Sequence, residues 1–356
     1  MSSRKRSASS ALLPPRDTSN TLLVIVLDVS PLTWGERDDL RKNFSQNSNK
    51  STKAKWPPAI LEEVLTAVQA FCNAVYSLER SAAVVIVAVA DQQVATVFPR
   101  KNTLAHWMRH PDAHAPDIRT LPQQVTAGVA ELVTRASQAQ GEAEGVAMAA
   151  AFSSALCILN RLLVAAKAGG VSALPAAHYL DRVDDQGVVA MMDTNNKNSS
   201  SKPASQQPAS AWSPRILLIQ ASPDRSRDYN AFMNCAFAAN KNGITVDGCF
   251  LGMGKSTSSF LEQVCDLTGG VLSAPTGMAQ VGGALTEVLL SIFLAPLPSR
   301  SSLHLPALDK VDFRARCFET AATVDQAFVC NQCLSIFQKK PSTACPTCQA
   351  KIVERK

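Results

Sequence analysis

Cys330-x2-Cys333 and Cys345-x2-Cys348 share one spacing and are separated by eleven residues. A C-x2-C pair lets two thiolates from one tight turn reach the same ion, and a second pair completes a tetrahedron. Lys339-Lys340 and the Pro346 inside the second pair suit such turns. A redox C-x-x-C would sit at the strand-to-helix junction of a thioredoxin-like unit, and nothing around these cysteines resembles one. The expectation is one structural Zn²⁺ held by Cys330, Cys333, Cys345 and Cys348. Four thiolates leave no open position for water, so catalysis at this metal is not expected. A segment of roughly 40 residues has too little core to fold alone, and the metal would supply the missing stabilisation. Val329, Leu334, Ile336 and Phe337 are the expected apolar partners of the site. A two-ion module would need eight ligands, whereas only Cys317 remains nearby and no histidine follows His304, so the count is one ion.

A second candidate is Asp28-Val29-Ser30-Pro31-Leu32, at the C-terminal end of the first apolar run. Open α/β sheets place ligands at such strand ends. The von Willebrand factor A fold carries a metal-ion-dependent adhesion site there, with the pattern Asp-x-Ser-x-Ser. Asp28 and Ser30 match it, but Leu32 has no oxygen to offer a hard cation. The loop Gln220-Ala221-Ser222-Pro223-Asp224 has no Asp at the strand end, and Asp224 lies further on. Mg²⁺ is therefore not expected at this degenerate Asp28/Ser30 loop. Gly252-Met-Gly-Lys255-Ser256-Thr257 is similar to a phosphate-binding loop, but Cys249 stands where the pattern needs its first glycine. His106, His110 and His114 recur at helical spacing, yet Pro111 would break a helix through them. No Ser/His/Asp or paired-carboxylate arrangement can be argued from spacing.

These residues need a scaffold. Thr21–Leu27 is a continuous β-branched apolar run, the pattern of a strand buried on both faces. A polar stretch, Lys42–Lys55, reads as a loop, and Pro57-Pro58 opens a helical pattern from Ile60 to Leu78. Ala82–Ala90 reads as a second strand, turning at Asp91–Gln93 into a hairpin partner, Val94–Phe98. Two helices follow, Leu121–Gln140 and Gly145–Lys167. Strands at Arg215–Ile219, Ile244–Leu251 and Val271–Ala274 then alternate with helices at Asp228–Asn240, Ser258–Leu267 and Met278–Leu294. This alternation predicts an α/β domain with a mainly parallel sheet covered on both faces. The predicted organisation is a disordered basic tail at 1–17 and an α/β domain at 18–295 carrying a flexible insertion at about 184–213. A linker at 296–311 and a four-cysteine module at 312–352 complete it. Asn195–Ser210, within the insertion, is too polar to order itself.

With 46% hydrophobic residues the chain can bury a substantial core, and a net charge of +6 over 356 residues is no nucleic-acid footprint by itself. Arg4-Lys5-Arg6 could be a nuclear address or a solvated tail. No apolar run approaches the roughly 20 residues needed to span a bilayer. No apolar region follows the basic run either, so no signal peptide is expected and a soluble, intracellular protein is. The six scattered cysteines do not have the density of a secreted disulfide framework.

Several stretches together carry a specific resemblance. They are Leu27-Asp-Val-Ser-Pro-Leu-Thr-Trp34, Cys265-Asp-Leu-Thr-Gly-Gly270, Val311-Asp-Phe-Arg-Ala-Arg-Cys-Phe318 and Phe328-Val-Cys-Asn-Gln-Cys-Leu-Ser-Ile-Phe337 followed by Cys345-Pro-Thr-Cys348. From about residue 20 to 350 the chain resembles the small von Willebrand factor A-type, zinc-binding subunit of general transcription and DNA repair factor TFIIH (general transcription factor IIH subunit 3 family). The resemblance implies a von Willebrand factor A-like (Rossmann-type) sheet with a zinc module. It implies a non-enzymatic, nuclear scaffold of the TFIIH core in RNA polymerase II initiation and nucleotide excision repair. It implies as partners the larger von Willebrand A-type, zinc-containing TFIIH subunit and the other core subunits, and no membrane. A metal-dependent adhesion or ubiquitin-receptor module of the same fold is the alternative. The insertion near 195–210, and Glu319-Thr320 where relatives tend to carry further Cys or His, depart from the family pattern. Direct DNA contact through Lys339, Lys340 and Lys351 stays open, since these are as readily a solvated rim.

Overall fold

Strand β1, Asn20–Asp28, shows why an unbroken apolar run folds as it does. Successive side chains point to opposite faces, and here Leu22, Val24 and Val26 join one buried cluster while Leu23, Ile25 and Leu27 join another. The computed structural model describes residues 20–46, 57–79, 82–104, 117–139, 145–167, 212–253, 257–306, 311, 314–320 and 322–351. In it β1 is flanked by parallel neighbours β2 (Ala83–Ala90) and β4 (Trp212–Gln220). The six-stranded order is β3-β2-β1-β4-β5-β6, with β3 (Gln93–Phe98) the antiparallel edge and β5 (Thr245–Phe250) and β6 (Leu272–Ser273) parallel.

Helices α2 (Leu61–Leu78) and α3 (Leu121–Gln138) cover one face with α7 (Gly283–Phe293). Helices α4 (Met148–Lys167), α5 (Tyr229–Lys241) and α6 (Ser259–Thr268) cover the other. This is the expected α/β architecture, a mainly parallel sheet with helices on both faces, and a four-cysteine cluster follows it. The stop after α6 has a steric cause at two glycines. Gly269 adopts φ 67, and a Cβ on Gly270 would collide with the Val246 carbonyl oxygen of β5.

Several boundaries differ from the sequence reading. The stretch expected to be a loop from Lys42 is helical as far as Gln46, because α1 runs over Pro31–Gln46. Polar composition misleads here, since a helix lying on the domain surface needs few apolar contacts beyond Trp34. Helix α2 starts at Leu61 rather than at the prolines; Glu63 reaches back to the Ile60 N–H at 3.5 Å. The single helix expected over Met278–Leu294 is broken into a 3-10 turn, Gly277–Gln280, and α7, at Gly282 with φ 53. Strand β4 begins at Trp212, so the last two residues assigned to the insertion belong to it. The stretch read as linker forms a 3-10 helix over Leu297–Ser302. The N-terminal tail, residues 184–211 of the insertion, His106, His110, His114 and Lys255 lie outside the described residues. Among the described residues no helix is long and apolar enough to cross a membrane.

Candidate metal centre and the loop after the first strand

The two C-x2-C segments fold into copies of one turn. In the first, the Cys330 N–H donates to the Ser335 carbonyl at 2.9 Å and the Leu334 N–H donates to the Cys330 carbonyl at 3.0 Å. In the second, Cys345 donates to Ala350 at 2.9 Å and Gln349 donates to Cys345 at 2.8 Å. Leu334 and Gln349, each just after the second cysteine, share φ 59. That left-handed residue reverses the chain so that both thiols of a pair point to the same side.

The four sulfurs lie within 4.8 Å of one another. Cys330 Sγ is 3.8 Å from Cys348 Sγ, and Cys333 Sγ is 3.6 Å from Cys345 Sγ. A tetrahedron with Zn–S bonds of about 2.3 Å sets its sulfurs roughly 3.8 Å apart. A disulfide would need about 2.05 Å, and all four cysteines are free. The cluster therefore fits one tetrahedrally bound metal ion. Its protonation chemistry is uneven. Burial pushes the Cys333 thiol up, but the Ser335 hydroxyl, 3.0 Å away, and the Ser335 N–H outweigh it and hold the thiol down at about 6. Backbone N–H groups of Cys333 and Gln332 lower Cys330 as well. The Ala350 N–H draws Cys348 down, yet its three sulfur neighbours push it up to about 12. Cys330 and Cys333 are drawn down while Cys348 is pushed up by the sulfurs around it, a conflict that a bound cation removes.

The apolar surroundings differ from expectation. Phe337 is buried, tilted against Phe318 at 6.5 Å, and Cys317, Val324 and Cys345 are buried too. Val329 and Leu334 are instead 57% and 58% exposed, so they do not line the site. The left-handed conformation of Leu334 directs its side chain outward. The sequence reading also missed a third turn. Cys317 donates its N–H to Ala322 at 2.8 Å, the same i to i+5 bond that opens the other two turns. Thr320 occupies the place of the second cysteine, and the Gln338 N–H donates to Cys317 Sγ at 3.4 Å. Burial raises the Cys317 thiol, but bonds from Thr320, Gln338 and Glu319 bring it below its ordinary value. The signal was present as Cys-x2-Thr, but a single cysteine does not announce a turn.

At the end of β1 the acidic candidate is already engaged. Asp28 Oδ1 accepts from the Ser30 N–H at 3.0 Å, and Oδ2 accepts from the N–H groups of Ala221 and Ser222 at 3.0 and 2.7 Å. Ser30 donates its hydroxyl to Asp91 at 3.0 Å, and Thr33 and Ser222 share a hydrogen bond of 2.8 Å. Leu32 is 56% exposed and brings no ligand. Asp224 accepts from Gln220, Ser258, Ser259 and the Phe260 N–H, so it braces the N-terminal end of α6, whose N-cap is Ser258. Beneath the loop lies Arg37, fully buried. It donates to the Leu251 carbonyl and stacks 4.9 Å from the centre of the Trp34 ring, whose own N–H donates to the Asp28 carbonyl at 2.9 Å. Burial lowers the Arg37 pKa, and the Asp28 charge opposes that shift. Nothing in a run of charged residues distinguishes Arg37 from its neighbours, so sequence alone could not find it.

A family model described as transcription factor Tfb4 matches residues 20–349, from β1 through the second cysteine turn. The chain is 44% identical over 138 residues to general transcription factor IIH subunit 3 of Dictyostelium discoideum, covering 39% of this chain and 35% of that protein. It is 42% identical over 133 residues to general transcription and DNA repair factor IIH subunit TFB4 of Arabidopsis thaliana, covering 36% of this chain and 42% of that one. The chain thus spans well under half the length of the curated relatives it matches. The crystal structure of the TFIIH p34 N-terminal domain shares the fold at a TM-score of 0.52 and 17% identity, covering 77% of this chain and 98% of that one.

Proposed function

The chain belongs to the transcription factor Tfb4 family, and from that premise we propose that it is a subunit of the TFIIH core, acting in RNA polymerase II initiation and nucleotide excision repair. It works in the nucleus as a non-catalytic scaffold, through contacts with the larger von Willebrand A-type, zinc-containing subunit and with other core subunits. Cys330, Cys333, Cys345 and Cys348 hold one structural zinc ion within a module over 312–352, joined by a linker at 296–311 to the body at 18–295. The observation that carries this reading is that one family match runs continuously through both the sheet and the cysteine turns. The chemistry of the two candidate centres supports the absence of catalysis. The sulfur cluster offers four thiolates and no vacant coordination position once closed, and the Asp28 oxygens are occupied by backbone donors.

Co-expression with the larger von Willebrand A-type subunit tests the proposal. The expected result is co-purification with about one zinc per chain, weakened when a chelator strips the metal. Recovery of the full, metal-loaded chain without that partner would overturn the scaffold reading.

A further inference from the structure

Two strands over from β1, a carboxylate is buried with two arginines. Asp247 lies on β5, fully buried, beside Arg215 of β4 and Arg300 of the 3-10 helix that follows α7. Arg300 grips it with both prongs, Nη1 to Oδ1 and Nη2 to Oδ2, each at 2.7 Å. Arg215 Nη2 donates to Oδ2 at 3.1 Å, and the Val271 N–H donates to Oδ1 at 2.9 Å. Both carboxylate oxygens are thereby used twice. Arg215 also donates to the carbonyls of Phe293 at 2.7 Å and Ala295 at 3.2 Å, tying down the C-terminal end of α7.

One arginine is enough to neutralise one carboxylate, and Arg215 already does so from within the sheet. The second arginine adds repulsion: burial lowers the Arg215 pKa, Asp247 opposes that, and the Arg300 charge lowers it further. Glu79 adds only a weaker attraction. A second buried guanidinium is expensive to desolvate unless its geometry is good, and the bidentate fork is the geometry that offsets that cost. What Arg300 contributes beyond charge balance is a fixed anchor for the chain that carries it. That chain is the connector between the body and the cysteine module.

We propose that Arg300 is a positioning residue that latches the connector to Asp247 and so sets the direction in which the chain leaves the sheet toward the cysteine module. A second contact agrees with a defined placement, since Asn230 of α5 donates its side-chain amide to the Leu334 carbonyl in the first cysteine turn at 3.1 Å. The latch acts through the connector and not through the metal, so it holds whichever ion the thiols bind.

Limited chymotryptic digestion of the full, metal-loaded chain tests this, because Leu303 lies exposed just after the latch. Arg300→Ala is expected to speed cleavage within 297–306 at least about tenfold, as local opening becomes easier. The body should keep its melting temperature to within a few degrees, and the metal content should not change. Arg300→Lys, which keeps one charge-assisted bond and loses the fork, should fall between Ala and the native protein. Native-like cleavage in Arg300→Ala would overturn the proposal. So would equal acceleration throughout the body with a matching fall in its melting temperature, since Arg300 would then be one more core contact. Equal behaviour of Lys and Ala with an unmoved body would keep the latch but place its strength in the fork alone.

Discussion

The loop after β1 and the C-terminal module both carry residues of metal-binding type, and they treat them in opposite ways. In the loop, three backbone N–H groups converge on Asp28 and a hydroxyl bond ties Ser30 to Asp91. The fold itself satisfies its oxygens, and Arg37 lies beneath as an internal positive charge. In the module, backbone bonds shape the turns and leave four sulfurs facing one another at tetrahedral spacing. A donor set becomes a site when the surrounding backbone orients it without consuming it.

The largest expected effect lies in the module. Cys333→Ser should reduce bound metal from about one ion per chain to near zero and unfold the module, since structural zinc contributes apparent binding energies of about 10–16 kcal/mol. The sheet should still melt near its native temperature, measured alongside metal content. If the body melts with the module, the two regions are one cooperative unit and the contrast fails. Next comes Asp28→Ala, which strands the N–H groups of Ser30, Ala221 and Ser222. Urea unfolding of the body should show a loss of about 3–5 kcal/mol. Millimolar Mg²⁺ should leave the native midpoint unmoved; a ligand present at 100 times its Kd would add about 2.7 kcal/mol, and a gain of that kind would make the loop a cation site. The smallest effect is expected at Leu334, exposed and left-handed. Leu334→Gly relieves the backbone cost and adds chain entropy, for a net gain of about 0.5 kcal/mol in module stability with unchanged metal content. Lost co-purification of the larger subunit by that variant would make the exposed leucine a partner contact.

Much of the sheet was legible because its strands are buried on both faces. Leu22–Leu27, Ala83–Ala90 and Ile216–Ile219 have few polar residues to confuse the pattern. The hairpin at Asp91 and the end of α6 near Leu267 were legible because turn chemistry is local. The surface helix α1 was not, since its polar composition resembles a loop and, among its described side chains, only Trp34 and Arg37 are buried. Nor was the break at Gly282, where one left-handed glycine divides an apolar stretch that reads as continuous helix.

By itself the sequence determined which residues could bind a metal in the module, because the ligand spacing C-x2-C sets a turn whose geometry is local. It also determined that the α/β body must bury its strands. Tertiary structure alone decided that Asp28 is satisfied from the loop after β4, 193 and 194 residues away, and that Asp247 draws in an arginine from beyond α7. Hydrogen-bond partners so distant in the chain leave no trace in spacing, and whether a polar residue is free to bind depends on what the fold places against it. The four cysteines remain available as a set because their own turns satisfy the backbone around them.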